Sequence, residues 1–485
     1  MITRNSSKIF SLFLLLILTE NIISIKIPIK LVKSSFQKGI PKTKHLMNNN
    51  DNKLSYIASQ KVYTDSDYLF LVDMQFGSNS KSLTVILDTG SEILWVPGYN
   101  VNNNGKYYNP SESTTSKKTT ERMNYEYSAG TVSGTFYNDQ INFILSNNFY
   151  FTFGVASQIS LSSHNFDGVL GLGRKYKVSD SKYSILQIIK NNGAIKSTKF
   201  SFKYDYKTKN LDLYLGEEHE DFSKKNVASC PLTDGDTYGE SLWTCDLYSF
   251  SVMKENNVLK KISIDYEALF DTGTNHNIFP SEILDDLRST FLSFNCYIQN
   301  ERDSSSEYMK AVYCRDPNNL PKISFGLKSY ILTLGKENFY NRIYINNEYI
   351  YRLRLLFVDE IDFCVIGQNF FFEYHTLFDN DKGVLKFYND EEDSITYHEE
   401  EEEGIKTWLL ILLIVGGVLI LAGITFIIIY CCCCKKREYL LLDKELLELS
   451  SIKKSEDKIE DTADTSFNHI MSITSSKRPI FNKSN

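Results

Sequence analysis

The sequence predicts a mainly β molecule made of two similar halves, followed by one helix long enough to cross a membrane. Three observations predict it. Tyr, Phe and Ile recur in short alternating runs, as in "KFSFKYDYKTKNLDLYLG", where Phe200, Phe202, Tyr204 and Tyr206 share one face and "KTKN" supplies a turn. An Asp-Thr-Gly stands twice, in "VILDTGSEILWVP" (residues 85–97) and "ALFDTGTNHNIFP" (residues 268–280), each time after apolar residues and before a hydroxyl residue. Finally, "WLLILLIVGGVLILAGITFIIIY" runs from Trp408 to Tyr430 without a charge. At 1.5 Å per residue that stretch reaches roughly 34 Å, enough for a hydrocarbon core.

The elements follow in order. Residues 1–24 have the layout of a secretory signal peptide: Arg4 and Lys8, the apolar run from Ile9 to Leu18, then a more polar stretch to Ser24. The apolar core is too short to span a bilayer comfortably. Helix signals are few among the strand signals. "SDSKYSILQIIKNNG" offers a Ser or Asp cap and Gly193 as a stop, and "PSEILDDLRSTFL" begins with Pro280 at a plausible first helical position.

At 485 residues, 42% hydrophobic and 13% aromatic, the chain is long enough for two or three compact units with cores of their own. The net charge of −7 is modest, and the basic residues show no cluster interleaved with aromatics, so nucleic acid is not an expected partner. Five of the nine cysteines precede the membrane segment, in a compartment that permits disulfides, and four form the run Cys431, Cys432, Cys433, Cys434. Adjacent cysteines cannot easily surround one ion, so neither a metal nor any other cofactor is expected. At a membrane edge the run is either palmitoylated or unmodified.

The repeat goes beyond the tripeptide. "FDGVLGLG" (166–173) follows the first Asp-Thr-Gly and "CVIGQNFF" (364–371) the second, so each half runs from a strand ending in Asp-Thr-Gly to a later pair of apolar residues and a Gly. Alone, either tripeptide reads as an ordinary turn. As a matched pair they place Asp88 and Asp271 on two loops that can face each other, with Gly letting the backbones approach. Two carboxylates that close cannot readily both ionise, so the pair holds one proton and offers an acid and a base together. That is the chemistry for hydrolysing an amide with an activated water, without metal or covalent intermediate.

On these residues the chain resembles the pepsin-like aspartic proteases, from about residue 25 to 390. The resemblance implies a mainly β, bilobal fold with the active site between two lobes. It makes Asp88 and Asp271 the catalytic pair, Thr89 and Thr272 the threonines that tie the loops together, and Gly90 and Gly273 the points of close approach. Ser91 and Thr274 correspond to hydroxyls that bond the outer carboxylate oxygens. "YSAGTVSG" resembles the flap hairpin, with Tyr127 closing over substrate, Gly130 and Thr131 on its return, and Trp95 as the partner of Tyr127. "CRDPNNLPKISF", with Cys314 paired to Cys296, looks like the disulfide loop of the C-terminal lobe. Cys230 and Cys245 flank an expected hairpin and are a candidate second bridge that the family does not require. Cys364, in the apolar strand before "VIG", reads as a buried thiol.

"IKIPIKLVKSS" resembles the start of a family propeptide whose basic residues pair with the active-site carboxylates. The expected organisation is therefore signal peptide 1–24, propeptide 25–58, N-terminal lobe 59–220, C-terminal lobe 221–390, acidic juxtamembrane spacer 391–406, transmembrane helix 407–430 and a disordered cytosolic tail 431–485. The mature chain is expected to begin between residues 50 and 62. Positive charge in "CCCCKKR" on one side of the span and "HEEEEEG" on the other sets the N-terminus outside, giving a single-pass type I protein of the secretory or endomembrane system, in a vacuole, a lysosome-like compartment or at the cell surface. The acidic run Glu399–Glu403 reads as a solvated spacer. "YLLL" at Tyr439 has the form of a sorting signal. This anchoring resembles the β-secretase arrangement.

The chain departs from the family in three places. The short disulfide loop after "WVP" is replaced by "GYNVNNNGKYYNPSEST", Glu92 and Ile93 stand where small polar residues are common, and Asn275-His276-Asn277 stand where small or apolar ones are usual. These bear on substrate preference and pH optimum. A protonated His276 would lower the proton affinity of the aspartate pair, whereas a histidine packed behind the loop would not. The reading is a monomeric, acid-acting aspartic endopeptidase that cleaves peptides or proteins. The rival is a catalytically silent ectodomain used for binding or adhesion, which has no physical reason to keep both aspartates, both threonines and the flap tyrosine.

Overall fold

The computed structural model of the protein describes residues 25–33, 68–101, 106–127, 130–143, 148–161, 166–174, 182–233, 242–302, 308–335, 337–345, 348–397 and 405–456. The expected signal peptide, the start of the mature chain and the acidic run lie outside them. The chain divides into two units, one through Glu400 and one from Glu401.

The first half contributes β1 (Ile25–Lys33), β2 (Tyr68–Phe76), β3 (Lys81–Asp88), β4 (Leu94–Pro97), β5 (Lys117–Tyr127), β6 (Gly130–Asn142), β7 (Phe149–Leu161) and β8 (Gly168–Gly171). Helix α1 (Ile185–Asn191) follows, and then β9 (Phe200–Asp205) and β10 (Asn210–Leu215). The second half has β11 (Val227–Pro231), β12 (Thr244–Lys254), β13 (Asn257–Phe270), β14 (Asn277–Pro280), helix α2 (Ser281–Ser293), β15 (Cys296–Arg302), β16 (Tyr308–Cys314), β17 (Lys322–Gly326) and β18 (Tyr330–Leu334). It ends with β19 (Tyr340–Ile345), β20 (Glu348–Val358), β21 (Phe363–Ile366), helix α3 (Gln368–Glu373), β22 (His375–Asp379), β23 (Val384–Tyr388) and β24 (Ile395–Tyr397).

Local sequence accounts for much of this. β9 and β10 form the expected hairpin, Asp205 opposite Asn210, and the Asp205 carboxylate closes the turn by accepting from Lys207 N–H at 2.8 Å. Ser184 caps α1. In α2, Ile283, Leu284, Leu287 and Phe291 form the buried stripe, and Pro280 stands just before the helix as the last residue of β14, one place earlier than expected.

The internal repeat becomes a repeated topology. β3 lies parallel to β8 with Asp88 beside Gly171, and β13 lies parallel to β21 with Phe270 beside Ile366. In each half the next strand turns back on the Gly strand, β4 on β8 and β14 on β21, and also runs parallel to a long strand, β7 or β20. The glycine after each apolar pair is obligatory. A Cβ on Gly171 would lie 2.4 Å from Ile93 N, and one on Gly367 would lie 2.3 Å from His276 O.

Among the described residues the strands form two sheets. One runs β11-β23-β22-β9-β10-β1-β2-β3-β8-β4-β7-β6-β5 and the other β15-β16-β20-β14-β21-β13-β12-β17-β18-β24, with β19 on β20. The first sheet crosses the expected lobe boundary at residue 220, because β11, β22 and β23 of the second half continue it through β9. Phe200 stacks on Phe378 across that junction with centroids 4.6 Å apart, and Trp243 donates to Leu172 O at 2.7 Å. Cys296 and Cys314 are bonded, and so are Cys230 and Cys245. β11, which carries Cys230, belongs to the first sheet and β12, which carries Cys245, to the second, so this disulfide joins the sheets. Cys364 is a fully buried thiol.

β1 sits between β10 and β2, pairing Ile25–Ile29 with Leu215–Leu211 and Lys30–Lys33 with Leu71–Tyr68. Its Lys26 pairs with Asp212 at 2.7 Å and its Lys30 with Asp73, not with the aspartates of the Asp-Thr-Gly loops.

In the second unit, α4 (Ile405–Glu456) contains one stretch, Ile411–Cys433, of mean hydropathy 3.0, long and apolar enough to cross a membrane. The helix continues past Tyr430 to Glu456, so residues 431–456 are helical where a disordered tail was expected. The reason lies in "KKREYLLLDKELLELSSIKKSE", which is rich in Leu, Lys and Glu and free of Gly and Pro.

Candidate active site

The first Asp-Thr-Gly closes β3 and the second follows β13, so each aspartate emerges from the end of a buried strand. Both are buried, Asp88 to 2% exposure and Asp271 to 1%. Their surroundings match bond for bond. Asp88 Oδ1 accepts from Gly90 N–H at 3.1 Å and Oδ2 from Ser91 Oγ at 2.6 Å; Asp271 Oδ1 accepts from Gly273 N–H at 2.7 Å and Oδ2 from Thr274 Oγ1 at 2.5 Å. Each carboxylate is thus oriented by one backbone and one hydroxyl donor.

The loops are locked face to face by their threonines. Thr89 Oγ1 donates to Phe270 O at 2.7 Å and accepts from Thr272 N–H at 2.9 Å. Thr272 Oγ1 does the reverse, donating to Leu87 O at 2.9 Å and accepting from Thr89 N–H at 3.1 Å. Four bonds therefore cross between segments 183 residues apart in sequence, and both threonines are fully buried. The approach requires glycine, since a Cβ on Gly90 would lie 2.7 Å from the Asp271 carboxyl carbon. The two Asp-Thr-Gly loops are thus held against each other.

Above the first loop, β5 and β6 form a hairpin with Glu126 opposite Thr131 and Tyr127 opposite Gly130. Gly130 has φ +136°, with Ser160 O where a side chain would stand. Thr131 is exposed, while Trp95 of β4 is buried and its Nε1–H donates to Tyr127 OH at 2.9 Å. Burial of the phenol and the nearby charge of Asp88 raise the Tyr127 pKa, so the hydroxyl stays protonated.

Comparison with known proteins agrees with this geometry. Residues 69–388 match the family model of the eukaryotic aspartyl proteases. The chain belongs to that family. It is 25% identical over 335 residues to candidapepsin-3 of Candida albicans, covering 64% of this chain and 76% of that protein. To plasmepsin I of Plasmodium falciparum it is 25% identical over 372 residues, 73% of this chain and 74% of the relative. To vacuolar protease A of Neurospora crassa it is 23% identical over 278 residues, 56% of this chain and 65% of the relative.

Within this aspartyl protease, the unusual Asn275-His276-Asn277 segment is buried behind the second loop. Asn277 Oδ1 accepts from Gly367 N–H at 2.9 Å, and His276 Nε2 meets Arg352, which grips Glu301 through Nε and Nη2 at 2.8 and 2.7 Å. Burial, then the charges of Arg352 and Arg354, hold the His276 pKa well below 6.5. His276 is packed behind the loop, where burial and the two guanidinium charges disfavour the protonated, charge-donating form.

Two features escaped the sequence reading. Gln368 braces the second loop, its Nε2 donating to Thr272 O and its N–H to Thr274 O, each at 2.7 Å; its place directly after "VIG" was the available signal. The other is a group of half-buried His219 and buried Asp221, at the start of a short 3-10 turn at Glu220–Ser223, with buried His375 of β22, 154 residues from Asp221 in sequence. It alone among the described residues has donors spaced for a metal ion. Lys203 and Lys224 both engage Asp221, however, and two ammonium groups oppose a divalent cation there.

Proposed function

We propose that this chain is an aspartic endopeptidase working at acidic pH, with Asp88 and Asp271 as its catalytic pair. The observation that carries the reading is the reciprocal threonine lock with its matched carboxylate surroundings, which leaves two buried aspartates on opposed loops. The ionised member takes a proton from a water, whose oxygen attacks the scissile carbonyl, while the protonated member supports the developing oxyanion. Collapse of the tetrahedral intermediate breaks the C–N bond as the departing nitrogen takes a proton from the pair. Ser91 and Thr274 keep the carboxylates oriented, and Tyr127, steadied by Trp95, covers an extended peptide in the cleft between the lobes.

In this reading residues 1–24 are a signal peptide, 25–58 a propeptide that begins with β1, and 59–220 and 221–390 the two lobes. Lys435, Lys436 and Arg437 after the apolar stretch of α4 favour a cytosolic C-terminus, with the protease unit lumenal or extracellular. Substrates are then peptides or proteins of the same lumen or membrane surface.

The test is cleavage of a peptide library by the full chain in detergent, from pH 3 to pH 7.5. Activity should rise on acidification, fall by about 10²–10⁴ in Asp271→Asn, as expected on losing an acid-base group, and be blocked by a transition-state peptide inhibitor. Cleavage surviving either control overturns the mechanism. No cleavage by the parent, with the inhibitor unbound, favours the silent ectodomain.

A further inference from the structure

Strand β1 has a titratable support on its β10 side. Lys26 of β1 lies over the ring of Tyr214 in β10, 5.7 Å from its centroid. Tyr214 meets His219 at 4.9 Å and His375 at 6.2 Å, and the two imidazoles are 5.0 Å apart. Asp221 touches both, its Oδ2 3.1 Å from His219 Nδ1 and 3.2 Å from His375 Nδ1, and it also holds Lys203 of β9 and Lys224. The remaining groups facing the imidazoles are Glu220 on the 3-10 turn, Ser201 of β9, Tyr388 of β23 and the ring of Phe222.

Ser201 Oγ lies 3.1 Å from His375 Nε2, completing a serine, histidine and aspartate row, but the serine is wholly buried in the sheet and no acyl substrate reaches it. With a metal opposed by two ammonium groups, protons are the ligands this cluster can take. Protonating both imidazoles adds two positive charges beside Lys203 and Lys224, with Asp221 the one carboxylate in contact among the described residues.

We propose that His219 and His375 form an acid-sensitive latch for strand β1: their protonation drives the cluster apart, displaces Tyr214 and loosens β1 from β10. The consequence for activation rests on β1 belonging to a propeptide; the latch itself does not need the peptidase reading. The direction follows from linkage. Burial lowers the His375 pKa from 6.5 to about 4 despite Asp221, and burial and Lys203 lower that of His219. Once the cluster opens, solvated imidazoles regain their ordinary pKa and bind protons, so opening is favoured as pH falls from 6.5 towards 4. For His375 alone the shift amounts to about 10²-fold in the opening equilibrium.

The experiment is amide hydrogen exchange of residues 25–33 in the full-length Asp271→Asn protein in detergent, which avoids self-cleavage, between pH 7.5 and 4. Rates are corrected for the intrinsic pH dependence of exchange and compared with those of β13 in the same sample. Exchange in β1 should rise at least tenfold relative to β13 as pH falls through this window. His375→Gln, which keeps polar contacts without titrating, and the half-buried His219→Gln should each move the midpoint down by half a unit or more. A flat parent profile, or both variants following the parent, overturns the latch. Should His375→Gln lose its near-UV circular dichroism at pH 7.5, His219→Gln decides. Because the readout is strand exposure, failure here and failure of the peptidase assay are separate results.

Discussion

Thr89 and Thr272 show how much one hydroxyl does when it is buried. Each donates to a carbonyl and accepts from an N–H of the opposite loop, so removing one leaves two buried backbone groups unpaired. Thr272→Val should therefore cost about 2–6 kcal/mol, at roughly 1–3 kcal/mol per unsatisfied group, whereas Thr272→Ser should stay near the parent. Urea unfolding followed by tryptophan fluorescence distinguishes the two. His276 gives a different expectation. Burial and the neighbouring Arg352 and Arg354 charges disfavour a proton on its ring, which serves as the partner of Arg352, so His276→Phe should destabilise the fold while leaving the pH-rate profile of peptide cleavage superimposable on the parent's. A shifted acid limb would mean that the histidine charge does reach the aspartate pair. At this scale the catalytic loops were legible because their chemistry is contiguous: Asp, Thr, Gly and a hydroxyl in one run. The Arg352, Glu301 and His276 network was not legible, since its members lie on three elements and carry no local pattern.

Strands and their order could be read from alternation, and the repeat announced that the halves would be built alike. What alternation cannot specify is a partner. Nothing in "HTLFD" or "VLKFY" says that β22 and β23 of the second half pair towards β9 of the first, because edge compatibility depends on which edges the finished halves leave open. The stretch after Tyr430 is polar, which suggests disorder, but it is also rich in strong helix formers, and the helix continues through it to Glu456. The glycines that end the repeated motif could be read as places of close approach, and the structure supplies the distances. Gly171→Ala and Gly367→Ala each push a Cβ onto backbone atoms that cannot swing aside. Each should cost about 1–3 kcal/mol or more, as for overpacking in a core, and equality of the two losses in thermal unfolding would reflect the equivalence of the halves. Removal of the Cys296–Cys314 bridge, whose cysteines are 18 residues apart, should cost about 3 kcal/mol through the unfolded state.

For the protease unit as a whole, the sheet shared by the halves makes stability answer to pH. Two groups with opposite character meet in it. Burial opposes ionisation of Asp221, yet bonds from His375, Lys203 and Lys224 outweigh it and hold its pKa below the ordinary 3.8. Its contribution is therefore present above the unfolded carboxylate pKa and is lost only as pH falls below that, through the folded value. His375 also has a lowered pKa, but as a base: the folded state prefers it neutral, and the unfolded state takes the proton first. Its contribution is complete above pH 6.5 and declines as pH falls towards about 4, by an amount on the order of 3 kcal/mol. Between pH 6.5 and 4 the windows of Asp221 and the histidines do not overlap, so within this cluster the slope there belongs to His375 together with His219, whose pKa is lowered in the same direction. His375→Gln should lower stability at pH 7.5 through lost packing, and it should flatten the fall of melting temperature between pH 6.5 and 4 relative to the parent. A parallel decline in parent and variant would assign the slope to other groups, because a neutral side chain at that position has no proton to bind.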